Sequence, residues 1–482
     1  VSLAIVPVYV AFLGIEGYGL IGVYLTLYGV MALLDLGLGT TLNRELARLS
    51  MQPDSTTEMR ELLRTLEILY WSIGILAGLA IALLGPVLAP LWITTDQLPP
   101  NTPASALQLM GFAIACQWPL ALYQAGLLGL QRQVLLNVIS AAATTVRSLG
   151  AVLVLWQVAA TVEAFLAWQI FASLAETLVT GAAIWRAMPS GAFAKFRLDL
   201  ALRLWRFAAG VSAITALSVI LTQLDKIILS GVLSLTAFGY YVLAGRLAGG
   251  LFYLVGPVIA AFFPRFSQLT AANNENELRR VYHQACQVLS VLVFPPALML
   301  ILFPYEILRL WTQSPVIAGN TWLVLCLLAA GTVLNALASP PHVLQLASGW
   351  TRLSLANAFI TTVLCAPLIY LLAVRYGGVG AAVVWVIVNV GNVCVNAVFT
   401  HRRLLRGELW PWLRVDVGPA LLGAAAVVGL ARWLLPETPW NWTGALVLGL
   451  VLALALVATA AATPDIRQFV ARFLAGRFLP AR

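Results

Sequence analysis

Six ionisable side chains of this 482-residue chain stand inside otherwise apolar runs: Asp35, Arg147, Glu176, Asp225, Lys226 and Arg246. Two of them sit side by side in QLDKIIL (223–229), next to the amide of Gln223. An arginine so placed can hold a phosphate through two parallel hydrogen bonds, or close an ion pair with a carboxylate. Facing lipid near mid-bilayer, such a charge costs at least about 2.5–3.5 kcal/mol on insertion scales, so each is expected to face protein or water. Bond-making chemistry has less to work with. His283, His342 and His401 are dispersed, and Cys116, Cys286, Cys326, Cys365 and Cys394 have neither metal-ligand nor disulfide spacing. The longest outer connector, about 304–320, has only Glu306 and Arg309 as charges, too little for a glycan polymerase or ligase. The expectation is a protein that is not an enzyme, with no catalytic residue, metal or cofactor.

Depth separates the six. Arg147 lies about eleven and thirteen residues from the two ends of its span, so no snorkelling side chain reaches water over roughly 17 Å. Reflection through the short turn at 159–162 places Glu176 within about 3 Å of its level on the next helix. Two readings stand: a buried ion pair locking this hairpin, or a contact in a polar lumen. Lys226 is about 7 Å below the outer end of its helix and can snorkel or face the lumen. Asp225 and Lys226 are consecutive and point about 100° apart, so they are expected to be poor partners; Asp225 then faces a neighbouring helix or the lumen. Asp35, near a helix end, reads as a cap or packing residue. Arg246 has no well-levelled acid in its own hairpin, since Asp225 lies about 6 Å higher, and is the best candidate to meet a phosphate. The packing alternative there is close helix approach at Gly245 and Gly249. Three charges of each sign leave any lumen net neutral.

Uncharged polar residues repeat at helical spacing, as in Thr215, Ser218, Thr222 and in Asn389, Asn392, Asn396. They are read either as glue between helices or as a path for sugar hydroxyls. Breaks expected at Pro119, Pro295-Pro296 and Pro340-Pro341 would free backbone carbonyls.

The elements that must position these residues follow from composition. With 61% hydrophobic and only 10% charged residues, and a mean hydropathy of +0.92, the chain reads as an all-α polytopic membrane protein. Its apolar runs are continuous and about 20 residues long, which suits helices rather than barrel strands. Fourteen transmembrane helices are predicted, near 1–13, 17–41, 67–92, 104–129, 134–158, 163–185, 207–231, 236–263, 285–303, 321–345, 353–374, 378–400, 416–435 and 442–463. Of the 28 Lys and Arg, 22 fall in alternate connectors and the C-terminal tail, while only Arg309, Arg375 and Arg432 lie opposite. The positive-inside rule then puts both ends in the cytoplasm. Spread this way beside anionic lipid, the net charge of +9 calls for no nucleic-acid partner.

A single offset of 220 aligns Leu13, Gly19, Gly129, Arg132 and Asn137 with Leu233, Gly239, Gly349, Arg352 and Asn357. The expected architecture is therefore two six-helix lobes in parallel repeat, 1–206 and 207–415, followed by two extra spans and a basic tail at 416–482. Val1 maps onto Leu221, so the first helix is expected to lack its cytoplasmic half, and no signal peptide is recognisable.

The stretches LGIEGYGLIGVYLTLYGVMALLDLGLGTTLNREL (13–46), QLDKIILSGVLSLTAFGYYVLAGRL (223–247), FFPRFSQL (262–269) and YGGVGAAVVWVIVN (376–389) resemble the polysaccharide exporter or O-antigen flippase family. Its superfamily also holds the multidrug-and-toxin extruders and the lipid II flippases. The resemblance implies alternating-access transfer of an undecaprenyl-pyrophosphate-linked oligosaccharide across the bacterial cytoplasmic membrane, through a lumen between two lobes. Asp225 occupies the acidic position of the family's Q-x-D stretch. Implied partners are the lipid-linked oligosaccharide, membrane lipid, a coupling ion (H+ or Na+), and glycosyltransferases and a polymerase of the same pathway. The rival reading is an ion-coupled small-molecule antiporter of the multidrug type.

Overall fold

The computed structural model describes residues 3–35, 37–52, 55–191, 194–200, 202, 220, 222–435 and 441–468. Its helices are α1 (Val6–Met31), α2 (Leu38–Leu49), α3 (Thr56–Trp92), α4 (Thr102–Gln117), α5 (Leu120–Gly129), α6 (Gln133–Gln157), α7 (Val162–Ala187), α8 (Leu235–Ala248), α9 (Phe252–Ala271), α10 (Glu275–Leu302), α11 (Pro304–Thr312), α12 (Pro315–Ala347), α13 (Thr351–Arg403), α14 (Gly418–Leu434) and α15 (Trp442–Ala462). Residues 220 and 222–232 are also helical and cover the end of the predicted seventh span; residues 207–219 and 221 of that span, with Thr215 and Ser218, lie outside the described residues.

Eleven helical stretches are long and apolar enough to cross a membrane. They carry the predicted spans once two glycine breaks are recognised. α13 runs on paper for 53 residues, roughly 80 Å and far more than a bilayer. Gly377 interrupts it with φ 61° and ψ −143°, a conformation open to glycine. The chain turns back there: a Cβ on Gly380 would meet the Leu372 carbonyl oxygen at 2.1 Å, and Asn357 bonds Asn392 at 2.8 Å. α13 is thus a hairpin of two spans. Gly14 (φ 72°, ψ 172°) breaks α1 in the same way, between the first and second predicted spans.

Other expectations need correction. The second span ends at Met31, followed by a 3-10 turn over Ala32–Asp35. Leu38–Leu49 is a separate helix, entered through Gly37 at φ 74°. Its leucines 38, 42, 46 and 49 recur at helical spacing and are buried against Leu63, Leu66 and Tyr70, while Arg44 and Arg48 stay on the exposed face. The chain is interrupted at Pro119, as predicted, but α10 continues through Pro295-Pro296 and α12 through Pro340-Pro341. Proline is tolerated inside membrane-spanning helices where packed neighbours can take over the freed backbone groups.

The chain divides into two compact units, Val1–Gly239 and Tyr240–Arg482. Leu42, Leu63, Tyr70, Trp118 and Leu122 centre one core of the first unit. In the second, Phe266, Tyr282, Ala285, Leu344, Trp412 and Ala420 do so. Apolar side chains such as Leu83, Leu91, Leu422, Trp433 and Trp442 stand exposed, the surface a multi-pass protein presents to lipid rather than to water.

Within the first unit, the 220-residue offset has a physical counterpart. A Cβ on Gly19 would lie 2.5 Å from the Leu235 carbonyl oxygen, and one on Gly239 would lie 2.4 Å from that of Ile15. The pairs 19/235 and 15/239 exchange under the offset, as they must if a local two-fold relates these helix starts. Glu16, in the same turn, accepts from the backbone N–H groups of Asp96, Gln97 and Leu98 at 2.7, 2.9 and 3.0 Å and fixes the α3–α4 connector.

Candidate functional site

In the first unit, Arg147 on α6 donates to Glu176 on α7 at 2.6 Å, with side chains 19% and 10% exposed. Trp168 Nε1 donates to the Arg147 carbonyl at 3.0 Å, fixing the helix pair on the opposite side of the turn. Around the ion pair stands a polar group drawn from four helices. Tyr24 donates to Gln117 at 2.7 Å, and Thr177 to the Cys116 carbonyl at 2.8 Å. Tyr9, Tyr24 and Tyr28 lie within range of the Arg147 charge. Arg147 and Glu176 are thus joined at the level that reflection through the turn predicts, and Glu176 meets the guanidinium's charge.

Asp35 behaves as a cap: its carboxylate accepts from Gly39 N–H and, through a short bond, from Tyr70 OH. Asp225 and Lys226, expected to be poor partners, make an ion pair at 3.3 Å. The correction has a simple cause: the lysine stem is long enough to fold back, and Lys226 Nζ also donates to the Thr222 carbonyl at 3.0 Å. Gln223 lies directly over Gly29, whose added Cβ would fall 2.5 Å from the Gln223 amide nitrogen.

In the second unit, Arg246 is near the end of α8, two residues before Ala248 and the 3-10 turn Gly249–Leu251. It is half-buried, and among the described residues no hydrogen-bond or ion-pair partner meets it. Among the described residues, the expected close helix approach beside it is not seen. A Cβ on Gly245 would have Leu328 Cδ1 no nearer than 3.9 Å, and one on Gly249 would meet nothing within 4 Å. Among the described residues, no atom packs closely on the two glycines that flank Arg246. This unit also contains an amide ladder: Asn335 donates to Asn389, Asn392 to Asn389, and Asn357 to Asn392, at 2.8, 3.4 and 2.8 Å. The asparagine stripe thus acts as glue between α12 and both halves of α13.

A family model described as polysaccharide biosynthesis protein matches residues 10–327. The chain belongs to that family. No curated protein was found that matches it in sequence. Among solved structures, the lipid II flippase MurJ in an inward closed conformation aligns with a TM-score of 0.71 at 13% identity, over 97% of each chain. An inward-facing multidrug resistance MATE family transporter aligns at 0.68 with 14% identity, over 84% of this chain and 95% of its own. The Vibrio cholerae MATE transporter VcmN, as a point mutant, aligns at 0.53 with 16% identity, over 85% and 98%. The fold of this family member is thus that of flippases and multidrug transporters, a multi-pass helical membrane protein. Its 0.71 alignment with MurJ extends over nearly the whole length of both chains.

Proposed function

We propose that this chain moves an undecaprenyl-pyrophosphate-linked oligosaccharide across the bacterial cytoplasmic membrane by alternating access, with both termini cytoplasmic, and that Arg246 holds the pyrophosphate. The observation that carries the reading is the contrast between the two deep arginines. Glu176 neutralises Arg147, whereas among the described residues Arg246 has no partner and its flanking glycines have no close neighbour. A planar guanidinium donates two parallel bonds to a phosphate, and desolvated head-group oxygens need such a replacement for water. In this reading Asp225, Lys226 and Gln223 are further candidate contacts for the substrate. The lobes are 1–206 and 207–415, with 416–482 appended. Coupling to H+ or Na+ and hand-over from glycosyltransferases to a polymerase complete the proposal.

Arg246→Ala is expected to abolish export of lipid-linked glycan at near-normal membrane levels, and Arg246→Lys to retain part of it. The check is glycan accumulation on the cytoplasmic and outer leaflets in cells that depend on this chain. Wild-type export by the alanine variant would remove Arg246 from the mechanism. The multidrug reading rests on the MATE alignment at 0.68. It predicts instead that deleting the protein sensitises cells to cationic drugs and leaves the glycan unchanged.

A further inference from the structure

A second polar centre lies in the second unit, away from Arg246. His283 on α10 has both ring nitrogens against carboxylates: Nδ1 is 2.5 Å from Asp416 Oδ2, and Nε2 is 3.2 Å from Glu408 Oε2. Asp416 is fully buried within a π-helical turn, Trp412–Val417, that opens the thirteenth span. Its other oxygen accepts from Gln287 Nε2 at 2.9 Å, and Gln287 Oε1 in turn accepts from the backbone N–H of Asp465, just past the end of α15, at 2.9 Å. Arg279 Nε stands 3.0 Å from the second oxygen of Glu408. The other titratable groups near the centre are Tyr282 and Cys286 on α10, His401 on α13 and the Asp465 carboxyl.

Donor counting decides what this arrangement holds. A neutral imidazole has one N–H and one lone pair. Facing two carboxylates, it satisfies one and turns its lone pair on the other, which is repulsive in a buried setting. Both contacts close only when the centre holds one proton more than a neutral histidine and two carboxylates.

We propose that His283, Asp416 and Glu408 form a single-proton binding site that latches the last two spans to α10. The proton is shared within the group, most simply as an imidazolium donating to both acids. With it bound, Glu408 before the thirteenth span, Asp416 at its start and, through Gln287, the chain beyond the fourteenth span are all tied to one helix. The closed form binds more protons than the open one, so the latch is held at low pH and loosens as pH rises. By the charge count this end of α10 is cytoplasmic, and the site therefore reads cytoplasmic pH. Bound-proton control of the terminal helix pair stands independently of the head-group proposal for Arg246.

Hydrogen–deuterium exchange on the full chain in lipid nanodiscs tests this, at about pH 6 and about pH 9, which bracket the ordinary histidine range. After correction for intrinsic exchange, amides 409–420 and 460–468 of the wild type are expected to open about tenfold more at the higher pH, the factor a lost charge-assisted hydrogen bond gives. Amides of α3 serve as the internal control. Glu408→Gln supplies an N–H donor to a neutral His283, so the latch should stay closed at both values. His283→Gln should leave it open at both. Equal protection of the wild type at the two pH values would overturn the site, and so would wild-type pH dependence in Glu408→Gln. Should His283→Gln fail to accumulate, Glu408→Gln still decides.

Discussion

Arg147 and Arg246 bring the same charge to similar depth, and their surroundings separate them. For Arg147, sequence alone went far, because a four-residue turn makes depth on one helix predict depth on the next, and Glu176 is where that reflection puts a partner. The same arithmetic misjudged Asp225 and Lys226, since it treats side chains as fixed directions and a lysine stem bends. His283 looked isolated because its acids lie 125 and 133 residues away. No spacing rule reports which spans will be neighbours. If the Arg147–Glu176 pair is structural, Arg147→Leu leaves a carboxylate uncompensated. It should destabilise the protein by about 3 kcal/mol or somewhat less, given partial exposure. Adding Glu176→Leu should recover most of the loss. Thermal melting of the three variants in detergent measures this, and additive losses would dissolve the pair and return Arg147 to the candidate contacts.

At the scale of elements, glycine carries information that hydropathy does not. The apolar runs located the spans, yet the hairpin at Gly377 and the contacts of Gly19 and Gly239 depend on backbone freedom and on missing side chains. The proline pairs misled in the opposite direction: a proline always removes a backbone bond, but a spanning helix can tolerate the loss, and α10 and α12 continue through both pairs. The glycine contacts can be tested against one another. Gly19→Ala and Gly239→Ala each push a methyl against a backbone carbonyl and should cost about 1–3 kcal/mol, since backbone yields less readily than side chains. Gly249→Ala meets nothing and should be neutral, or stabilising by up to about 1 kcal/mol through the unfolded chain. Equal effects at the three positions would remove the reciprocal contact as a constraint on the repeat.

For the whole molecule, span number and sidedness are one argument. The described helices supply the spans outside residues 203–219, with the two glycine hairpins resolving runs that length alone would merge. Sidedness comes from charge, because arginine next to anionic lipid is favoured where translocating it is not. The connector after α7 and the one before α15 are separated by an odd number of spans in this arrangement, so Ser190 and Asn441 must lie on opposite sides. Both are exposed, and single cysteines there can be labelled in a background from which the five native cysteines have been removed. A membrane-impermeant maleimide should reach a cysteine at position 441 in intact spheroplasts, and one at position 190 only after the membrane is opened. Labelling of both from the same side would break the span count between α7 and α15, and with it the placement of the proton latch on the cytoplasmic face.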